Sequence, residues 1–574
     1  MSRHGHSVKP RLASHMRMCS VATTLDEDEV RKLTNVVFLW VFTVIFQLRA
    51  LHQEALEVAS LIQSVRNRRA PINRLPRDVF VLIPGFWGGR ERGIIAIVLT
   101  HVCRAWREIF ISLASLWTNL CCVDAEKTRS YLERSKSAPI SLWLERLTGL
   151  FSNDPFLEVA PRITHRLKYL SVKTTPGHFQ DVTQHRVHPA PLLEALTMDA
   201  SCLYLGPSCT LKADFFDGDL ASLRELHLFS VNTQLPWRNM NNLTSFSLAY
   251  TARSTVSVDQ ILDFLESAPR LLKIKLLSAV LAPGAQDSRL ITLTHLRRLT
   301  ISGSQKPSLL LNHLIIPVGA KVSTVLAYPG PSVDDHLPRS LGNLRNLSHF
   351  TKVRLYYKSH RPPTPPSASI QFTGPNGQVS ITSSCPTFNV MSGVPRYLAS
   401  FDTSRIECLE IIGSDFTTEL RQGLLPLENL RTLVFSGSCT TVLSLLALDP
   451  ASSHGLVVCP RLEELILYNC DGFGVDSMAE LAAARASRGA PLKLLKIAGI
   501  GEPARTEVTE LLKHVLHVEI TPWEKLTKVD GEDDPSDEDS DEDDFSDEDS
   551  DEDDSSNEDS DEDDPSDGDS DEEY

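Results

Sequence analysis

One short pattern recurs along most of this chain and constrains its fold more than any other feature. Three apolar residues, spaced as apolar-x-x-apolar-x-apolar, begin a new unit about every 27 residues, and weaker copies near Val322-Val325 and Val379-Ile381 fill the two gaps of double length. Such self-similarity predicts a solenoid, because each unit can bury its apolar face only against its neighbours. The twelve clear segments are Leu167-Leu170-Val172, Leu193-Leu196-Met198, Leu223-Leu226-Leu228, Leu243-Phe246-Leu248, Leu271-Ile274-Leu276, Leu296-Leu299-Ile301, Phe350-Val353-Leu355, Ile406-Leu409-Ile411, Leu430-Leu433-Phe435, Leu462-Leu465-Leu467, Leu492-Leu495-Ile497 and Val515-Val518-Ile520.

The unit predicts one short strand per turn of the coil. Its apolar residues face inward and the residues between them face the concave side, while 258–267 and 478–488 are expected to be helices on the convex side. The period is typical of leucine-rich repeats, and units that begin Pro269-Arg270 or Pro460-Arg461 resemble those of F-box leucine-rich-repeat proteins. More regular leucine-rich repeats have a row of stacked asparagines, and this chain lacks it. We therefore expect an α/β fold with an irregular horseshoe. The alternative is an ordinary α/β domain with strands at chance spacing.

A small helix-rich module, residues 71–120, precedes the repeats. Pro76 suits a first helical position, and the residues that then share one apolar face are Val79, Leu82 and Ile83. A Gly- and Pro-rich break follows at 84–89. A second helix is expected over 94–110, with an apolar face formed by Val98, Val102, Trp106 and Ile109. A unit of about 50 residues is rarely stable alone, which predicts a protein interface here.

This module resembles an F-box domain of the fungal type. The resemblance rests on the run from Pro71 to Pro76, an acid at Asp78, the aliphatic run 79–83, the segment 101–107 and Leu116-Trp117, and it covers about 50 of the 574 residues. Two departures are that Asp78 replaces the family's usual Glu and that the loop from residue 84 to 93 is long and rich in glycine.

The resemblance implies docking onto the Skp adaptor of a cullin-based ubiquitin ligase. The residues that would contact the adaptor or support that surface are Leu75, Pro76, Val79, Ile83, Val102, Cys103, Trp106 and Arg107. The chain would then be a substrate receptor in the cytoplasm or nucleus, and its repeats would hold a protein substrate of unknown identity.

The substrate would be read by residues between the inward-facing ones. The candidates are Arg224, His227, Lys273, Lys275, Arg297, Thr300, Arg431 and Glu463. The middle of this surface is basic, which favours an acidic or phosphorylated partner. A solvated charged face is the alternative. Nucleic acid is not expected, because aromatic residues do not interleave with the bases.

The first 70 residues divide into two parts. Residues 1–25 are basic and are expected to be a disordered leader, with a transit peptide as the alternative. One long helix is expected over 26–69, where a heptad-like apolar stripe from Val37 to Val65 would dock or pair. Residues 36–46 are nearly all apolar, but the uncharged stretch has 16 residues, fewer than the roughly 20 that span a bilayer. A membrane anchor is therefore an alternative only.

The acidic charge of the chain is concentrated in its C-terminal segment. Residues 530–574 hold 29 of the 74 acids and no base, which leaves 45 acids and 57 bases in the other 529 residues. Four ten-residue repeats begin at Asp534, and this apolar-poor tail is expected to be disordered. It is expected to aid solubility, with a basic partner protein or contact with the basic body as alternatives. The serines that suit acid-directed kinases are Ser536, Ser540, Ser546, Ser550 and Ser560.

No catalytic or metal motif is found. The chain lacks the P-loop, dinucleotide, zinc-hydrolase and nucleophile-elbow motifs, and its eleven cysteines include no C-x-x-C pair. We therefore expect no enzyme, cofactor or metal, with a non-ligase scaffold as the alternative function. The predicted organisation is a leader (1–25), a long helix (26–70), the F-box-like module (71–120), the repeats (121–525) and the acidic tail (526–574).

Overall fold

The computed structural model describes most of the chain between residues 26 and 522. The predicted leader 1–25, the acidic tail and its five candidate serines lie outside the described residues. The described residues are 26–86, 91–121, 125–146, 162–175, 179, 182–183, 188–200, 209–212, 215–218, 220–233, 240–249, 255–278, 280–284, 289–303, 306–326, 338, 344, 350–358, 367–375, 377–383, 403–413, 424–436, 446, 457–468, 475–500 and 505–522.

A 43-residue helix, α1 (Glu27–Arg69), comes first and confirms the predicted long helix. Acids fill its first turn and three arginines lie in its last turn, an arrangement that complements the helix dipole. No residue of α1 is buried against the described part of the chain. The apolar stripe is therefore not docked on the described part of the chain, and its docking or pairing elsewhere stays a prediction.

The module that follows consists of three short helices, α2 (Arg77–Leu82), α3 (Glu91–Val102) and α4 (Arg104–Ser112). Single 3₁₀ turns lie at Pro71–Arg74, Ile83–Phe86 and Ala114–Trp117. The predicted continuous helix over 94–110 is wrong, because Cys103 has an extended backbone (φ −160°, ψ 172°) that separates α3 from α4.

This break changes which side chains share a surface. Val98 and Val102 are exposed on α3, whereas Trp106 on α4 is buried and Ile109 packs against the core. The four residues therefore do not form the single apolar face that their spacing predicts. A continuous helix keeps one face over several turns, and the extended residue at 103 ends that relation.

Within the described residues, one sheet of 17 strands forms the centre of the repeat region, and three two-stranded sheets lie in its connections. A helix, α5 (Ala125–Ser135), lies between the first two strands. The strands are β1 (Asn119–Cys121), β2 (Ile140–Arg146), β3 (Leu167–Thr174), β4 (Ala195–Asp199), β5 (Cys209–Leu211), β6 (Glu225–Phe229), β7 (Val231–Thr233), β8 (Ser245–Ala249), β9 (Thr255–Ser257), β10 (Lys273–Leu277), β11 (Val280–Ala282), β12 (Ile291–Thr292), β13 (Arg298–Ser302), β14 (Leu314–Ile315), β15 (Lys321–Leu326), β16 (Lys352–Lys358), β17 (Ser367–Thr373), β18 (Gln378–Ser383), β19 (Cys408–Ile412), β20 (Thr432–Ser436), β21 (Glu464–Tyr468), β22 (Leu494–Ile500) and β23 (His517–Pro522).

Pairing in the large sheet follows chain order through most of its width. The spatial order is β1-β2-β3-β4-β6-β8-β10-β13-β15-β18-β17-β16-β19-β20-β21-β22-β23, and every pair is parallel except the two that involve β17. The large, mostly parallel sheet confirms the α/β class. The small sheets pair β5 with β7, β9 with β11 and β12 with β14.

All twelve predicted apolar segments lie in or directly before strands of the large sheet. Their apolar residues are buried in the first eleven; in the last, Val515 is buried while Val518 and Ile520 are partly exposed. The prediction that these residues face inward is therefore confirmed. Since neighbouring strands keep the same register, each apolar residue packs beside its equivalent in the next unit, as Phe246, Ile274 and Leu299 do.

A turn of similar geometry precedes several strands of the large sheet. In these units the first apolar residue donates its backbone N–H to the carbonyl three residues earlier, as from Leu223 to Leu220 (2.9 Å) and from Leu462 to Cys459 (3.0 Å). In both examples the accepting residue is itself buried. These units are therefore longer than the sequence pattern indicates, with a fourth inward-facing residue three positions before the first.

The order of strands in the middle of the sheet differs from the prediction. The weak segments do form β15 and β18, but β18 pairs with β15, β16 pairs with β19, and β17 lies antiparallel between β18 and β16. The hairpin between β17 and β18 is closed by a hydrogen bond from the Gly374 N–H to the Gly377 oxygen (2.9 Å). A meander therefore replaces the predicted regular succession of units.

Helices cover parts of the opposite face of the sheet. They are α6 (Val258–Ser267), α7 (Ser308–Leu311), α8 (Val475–Ser487) and α9 (Arg505–Leu512). The two helices that were predicted at 258–267 and 478–488 are thus confirmed as α6 and α8. The inner side of α6 carries Ile261, Phe264 and Leu265, all buried, which is the face expected of an amphipathic helix that packs on a sheet.

Candidate protein-interaction surfaces

The helical module has a core of aromatic side chains. Phe80 packs edge-on against Trp106 (5.2 Å between ring centroids), which in turn packs against Phe110 (5.5 Å). The indole N–H of Trp106 donates to the side-chain oxygen of Asn73, and that of Trp117 donates to the carbonyl of Phe110 (3.0 Å). Because buried indole N–H groups need an acceptor, these bonds fix how the short helices meet.

Contacts with α5 join the module to the sheet. The Tyr131 hydroxyl donates to the backbone oxygen of Gly93 (2.7 Å), and its ring lies edge-on to Trp117 (5.0 Å). The Arg134 guanidinium lies 4.4 Å from the ring centroid of Trp117. Burial raises the pKa of Tyr131 to about 12, so the hydroxyl stays protonated and keeps donating at any physiological pH. The module is therefore anchored to the first strands of the sheet.

Aliphatic side chains project from the outer surfaces of two helices of the module. On α2, Val79 and Leu82 are exposed at i and i+3, and on α3 the exposed residues Ile94, Val98 and Val102 follow at i, i+4 and i+8. Val98 is 58% exposed and Val102 is 52% exposed. We call these five residues the exposed aliphatic set. Since single exposed apolar residues are common but ordered rows of them mark interaction sites, the set is a candidate interface.

The predicted adaptor residues divide into surface and supporting positions. Leu75, Pro76, Val79, Val102 and Arg107 are exposed. Ile83 and Cys103 pack partly against the core, and Trp106 is buried. Trp106 is therefore restricted to supporting the surface. The Arg107 side chain is held by a hydrogen bond from its Nε to the Thr100 oxygen (2.9 Å).

Sequence reasoning missed several of the exposed apolar residues. Leu82 was assigned only to a common apolar face, and Ile94 and Phe86 were not singled out. The signal was present in α3, where apolar residues run from Ile94 to Leu99 without interruption. A helix that is apolar on more than one side has more apolar surface than a single core contact can cover.

The large sheet offers a second surface. Burial alternates along most of its strands, and the residues at the first, third and fifth positions of a five-residue strand such as β10 are partly exposed. We call this surface the open face. Register pairing places equivalent residues in columns, so that His227, Lys275 and Thr300 share one column and Lys273, Arg298 and Lys321 share another.

The predicted substrate residues occupy two kinds of position. His227, Lys273, Lys275 and Thr300 lie on the open face itself. The others come directly before a strand, where Arg224, Arg297 and Arg431 are exposed and Glu463 is partly exposed. The eight residues are spread from β6 to β21, so the structure does not bring them together in one pocket.

Two of these residues, Lys273 and Arg297, do border a shared groove. It has a volume of about 710 Å³ and lies where β10, β13 and β15 begin. The cationic residues that line it are Lys273, Arg297, Arg298 and Lys321, joined by His295. Lys321 was not predicted, although its place one residue before Val322 matches that of Lys273 before Ile274 and could have indicated it. We call this feature the basic groove.

Cations elsewhere on the sheet surface have acidic partners. Glu410 accepts from Lys352 (2.6 Å) and Arg354 (2.5 Å), and Lys493 pairs with Glu463 (2.7 Å). Burial alone would raise the pKa of Glu410, but the hydrogen bonds from the two cations outweigh burial and lower it below the ordinary value. The two cations on β16 are therefore paired with the carboxylate on β19.

Two of the described cysteines, both buried, have a raised pKa. Burial raises the pKa of Cys209 to about 11 and that of Cys459 to about 12, so both thiols are protonated and unreactive at neutral pH. Within the described part of the chain no cluster of three or more His, Cys, Asp or Glu residues has the arrangement of a metal site.

No protein-family model matches this chain, and no curated protein is significantly similar to it. Among the helices that the structure describes, α1 alone is long and apolar enough to cross a membrane. The candidate functional features of this chain are therefore the exposed aliphatic set, the open face and α1.

Proposed function

We propose that this protein is the substrate-receptor subunit of a cullin-based (SCF-type) ubiquitin ligase. The F-box-like module 71–120 docks a Skp-type adaptor, and the repeats form an irregular leucine-rich-repeat solenoid that holds a protein substrate on its open face. Ubiquitin transfer occurs on other subunits, so the chain acts by bringing two partners into one complex in the cytoplasm or nucleus.

The observation that carries this proposal is the exposed aliphatic set of the module. Val79 and Leu82 on α2 and the row on α3 stay in water although the aromatic core beneath them is closed and hydrogen-bonded. Burial of apolar side chains contributes about 25 cal/mol per Å², so an ordered row of this kind favours a protein partner. The resemblance to the F-box family supplies the identity of that partner.

The repeat geometry supports the second half of the proposal. Consecutive units place parallel strands side by side in one register and repeat a similar turn before several strands. Units that contact mainly their neighbours are the defining property of a solenoid, and solenoids typically bind partners over an extended surface. The open face carries the charged and polar residues that such binding would use.

Capture of the adaptor tests the proposal. Purified full-length protein should retain a Skp-type adaptor and, through it, the cullin, whereas Leu75→Ala/Pro76→Ala should not. Leu516→Ala is a matched control, because Leu516 is 70% exposed before β23, outside the module. Circular dichroism establishes that each variant is folded. Equal capture by the wild type and the module variant would contradict docking through this surface.

A second candidate function is that of a non-ligase scaffold tethered to a membrane. One observation favours it: no residue of α1 is buried against the described part of the chain, and the helix has no charge between Lys32 and Arg49. Flotation with lipid vesicles tests this candidate, with Phe42→Asp/Phe46→Asp as the variant. Flotation of the wild type but not of the variant, together with no adaptor capture, would favour the tethered scaffold.

A further inference from the structure

The basic groove concentrates positive charge at the starts of three neighbouring strands. Lys273, Arg298 and Lys321 occupy the same register position on β10, β13 and β15, and Lys275 lies in the next open-face column. The open-face positions of β8, β10, β13, β15 and β18 that the structure describes include no Asp or Glu. Five adjacent strands therefore present cations and neutral residues only.

This arrangement is electrostatically unfavourable by itself. Neighbouring strands lie about 4.8 Å apart, and like charges directly opposite one another destabilise a sheet. Within the described residues Lys273, Lys275, Arg297 and Lys321 make no ion pair. The contrast with Glu410, which pairs with two cations a few strands away, shows that the unpaired charge is local. An anionic occupant would relieve this repulsion.

The shape of the groove suits an extended peptide. It runs across the starts of three parallel strands, and its lining includes Leu272, Leu296, Pro317 and Gly319 between the cations. An acidic segment rich in Asp and Ser, which have short side chains, could lie along the groove with its carboxylates next to the guanidinium and ammonium groups. Hydrogen bonds to charged groups are the stronger kind, at about 1.5–3 kcal/mol each.

The same chain contains such a sequence. Residues 534–573 repeat a ten-residue motif of Ser, Asp and Glu four times, and the segment from 530 onwards holds 29 acids and no base. We propose that the basic groove binds the acidic tail of its own chain, in an intramolecular contact that masks the groove. The proposal goes beyond the ligase function and does not depend on it, because the contact uses neither α1 nor the module.

The tail has the length to reach the groove. β23 ends at Pro522, and eight strand spacings of about 4.8 Å separate β23 from β15, which is roughly 38 Å. A flexible segment of about 30 residues has a root-mean-square length of about 30 Å. A tether whose length matches its span gives an effective concentration in the millimolar range. Because the four ten-residue repeats of the tail are nearly equivalent, any one of them can replace another in the groove.

While the tail occupies the groove, another anionic ligand can enter only if it binds the groove more tightly than the tail does. Phosphates on the tail serines would each add about −1.5 to −2 charges and would tighten the contact. Dephosphorylation or high salt would open it, since the Debye length is about 8 Å at physiological ionic strength and shortens as salt rises. Access to the open face is thereby coupled to the charge state of the tail.

Zero-length carbodiimide cross-linking of the full-length protein tests the contact, because this reagent joins only amines and carboxylates that touch. Mass spectrometry should find tail carboxylates joined to Lys273, Lys275 and Lys321 within one molecule. The yield should not depend on protein concentration, and it should fall at least about fivefold when NaCl rises from about 50 mM to about 500 mM.

A charge reversal that leaves every lysine in place sharpens the test. Arg297→Glu adds an acid to the edge of the groove and should lower the yield at Lys273 and Lys321 at least about threefold, as the repulsion predicts. Arg224→Glu is the matched control, because Arg224 holds the equivalent place before β6, outside the groove, and it should leave the yield unchanged.

Three outcomes would overturn the proposal. The first is that the tail carboxylates join all exposed lysines equally, including Lys127 in α5 and Lys136 directly after it. The second is a yield that rises with protein concentration, which would indicate contact between two copies. The third is a wild-type pattern in the Arg297→Glu variant, which would show that the groove has no part in holding the tail.

Discussion

The indole N–H of Trp106 donates a hydrogen bond to the side-chain oxygen of Asn73, and this bond ties α4 to the turn that precedes α2. The exposed Leu75 and Val79 are near neighbours of Asn73 in the chain, and Val102 precedes Trp106 by four residues. The surface that is proposed to dock the adaptor therefore depends on a buried polar contact. Loss of the bond should affect both the stability of the module and its binding.

Asn73→Ala should destabilise the module by about 1–3 kcal/mol, because the buried indole N–H would lose its acceptor. Trp106→Phe should cost a similar amount, since it removes the donor and part of the packing against Phe80. The double variant should be less destabilised than the sum of the two. Urea unfolding monitored by tryptophan fluorescence measures the cycle, and strict additivity would contradict the coupling.

Arg485 provides a second test, because its guanidinium is fully buried on α8 and donates to the carbonyl oxygens of Val458 and Cys459 (2.9 Å each). Arg485→Met should lower stability by about 2–4 kcal/mol, since both carbonyls lose a charged donor. Arg270→Met, which removes one surface hydrogen bond to Asn242, should change it by less than about 0.5 kcal/mol. Thermal unfolding compares the two, and equal shifts would contradict the account.

The pH dependence of Glu410 follows from its two cationic partners. Its pKa is lowered in the folded state, so its contribution to stability is present above the unfolded pKa of about 4.3 and is lost as pH falls through the folded value. The difference in unfolding free energy between wild type and Glu410→Gln should therefore be largest near neutral pH and should vanish in acid. Denaturant titrations between about pH 3 and 7 measure it. A difference that grows in acid would have the wrong sign.

The residues that directly follow β10 and β13 predict opposite effects of two small substitutions. Ser278 has a φ of 52° and Gly303 has a φ of 70°. A Cβ at Gly303 would lie 2.9 Å from the Ser278 Cα, so Gly303→Ala should destabilise by about 1–3 kcal/mol. Ser278→Gly should instead be neutral or stabilising by up to about 1 kcal/mol, since glycine adopts positive φ without strain. Thermal unfolding checks both signs, and a destabilised Ser278→Gly would contradict them.

The regular part of the fold could be predicted because its signal is periodic. In β10, Ile274 and Leu276 are buried, as the pattern predicts, and the equivalent residues are buried in most other units. Local spacing specifies a strand and its inward face, and repetition specifies that neighbours stack. These inferences need no information about distant contacts.

The irregular part could not be predicted from the same signal. The meander of β16, β17 and β18 depends on which strands meet, and the weak apolar pattern around Val379 is compatible with either order. A hairpin signal was nevertheless present, because Gly374-Pro375-Asn376-Gly377 contains the Asn-Gly pair typical of tight turns. Alternation in β17, where Ile370 and Phe372 are buried, was the second clue.

The candidate surfaces were predictable to different degrees. Four of the eight predicted substrate residues lie on the open face, since strand geometry alternates its sides, and the other four come directly before a strand. The break at Cys103 was not predicted, because no proline or glycine marks it, and it separates the exposed Val102 from the buried Trp106. Whether Lys273 has an acidic neighbour also depends on register between units, which spacing alone does not give.

A titration of purified Skp-type adaptor into the full-length protein, followed by calorimetry, tests the central claim most directly. The account predicts saturable one-to-one binding that Val98→Glu/Val102→Glu weakens at least about 100-fold, or about 2.7 kcal/mol. Leu516→Glu, a charge placed on an equally exposed leucine outside the module, should change the Kd less than about twofold. Absence of binding by folded wild type, or equal binding by both variants, would contradict the claim that this module docks the adaptor.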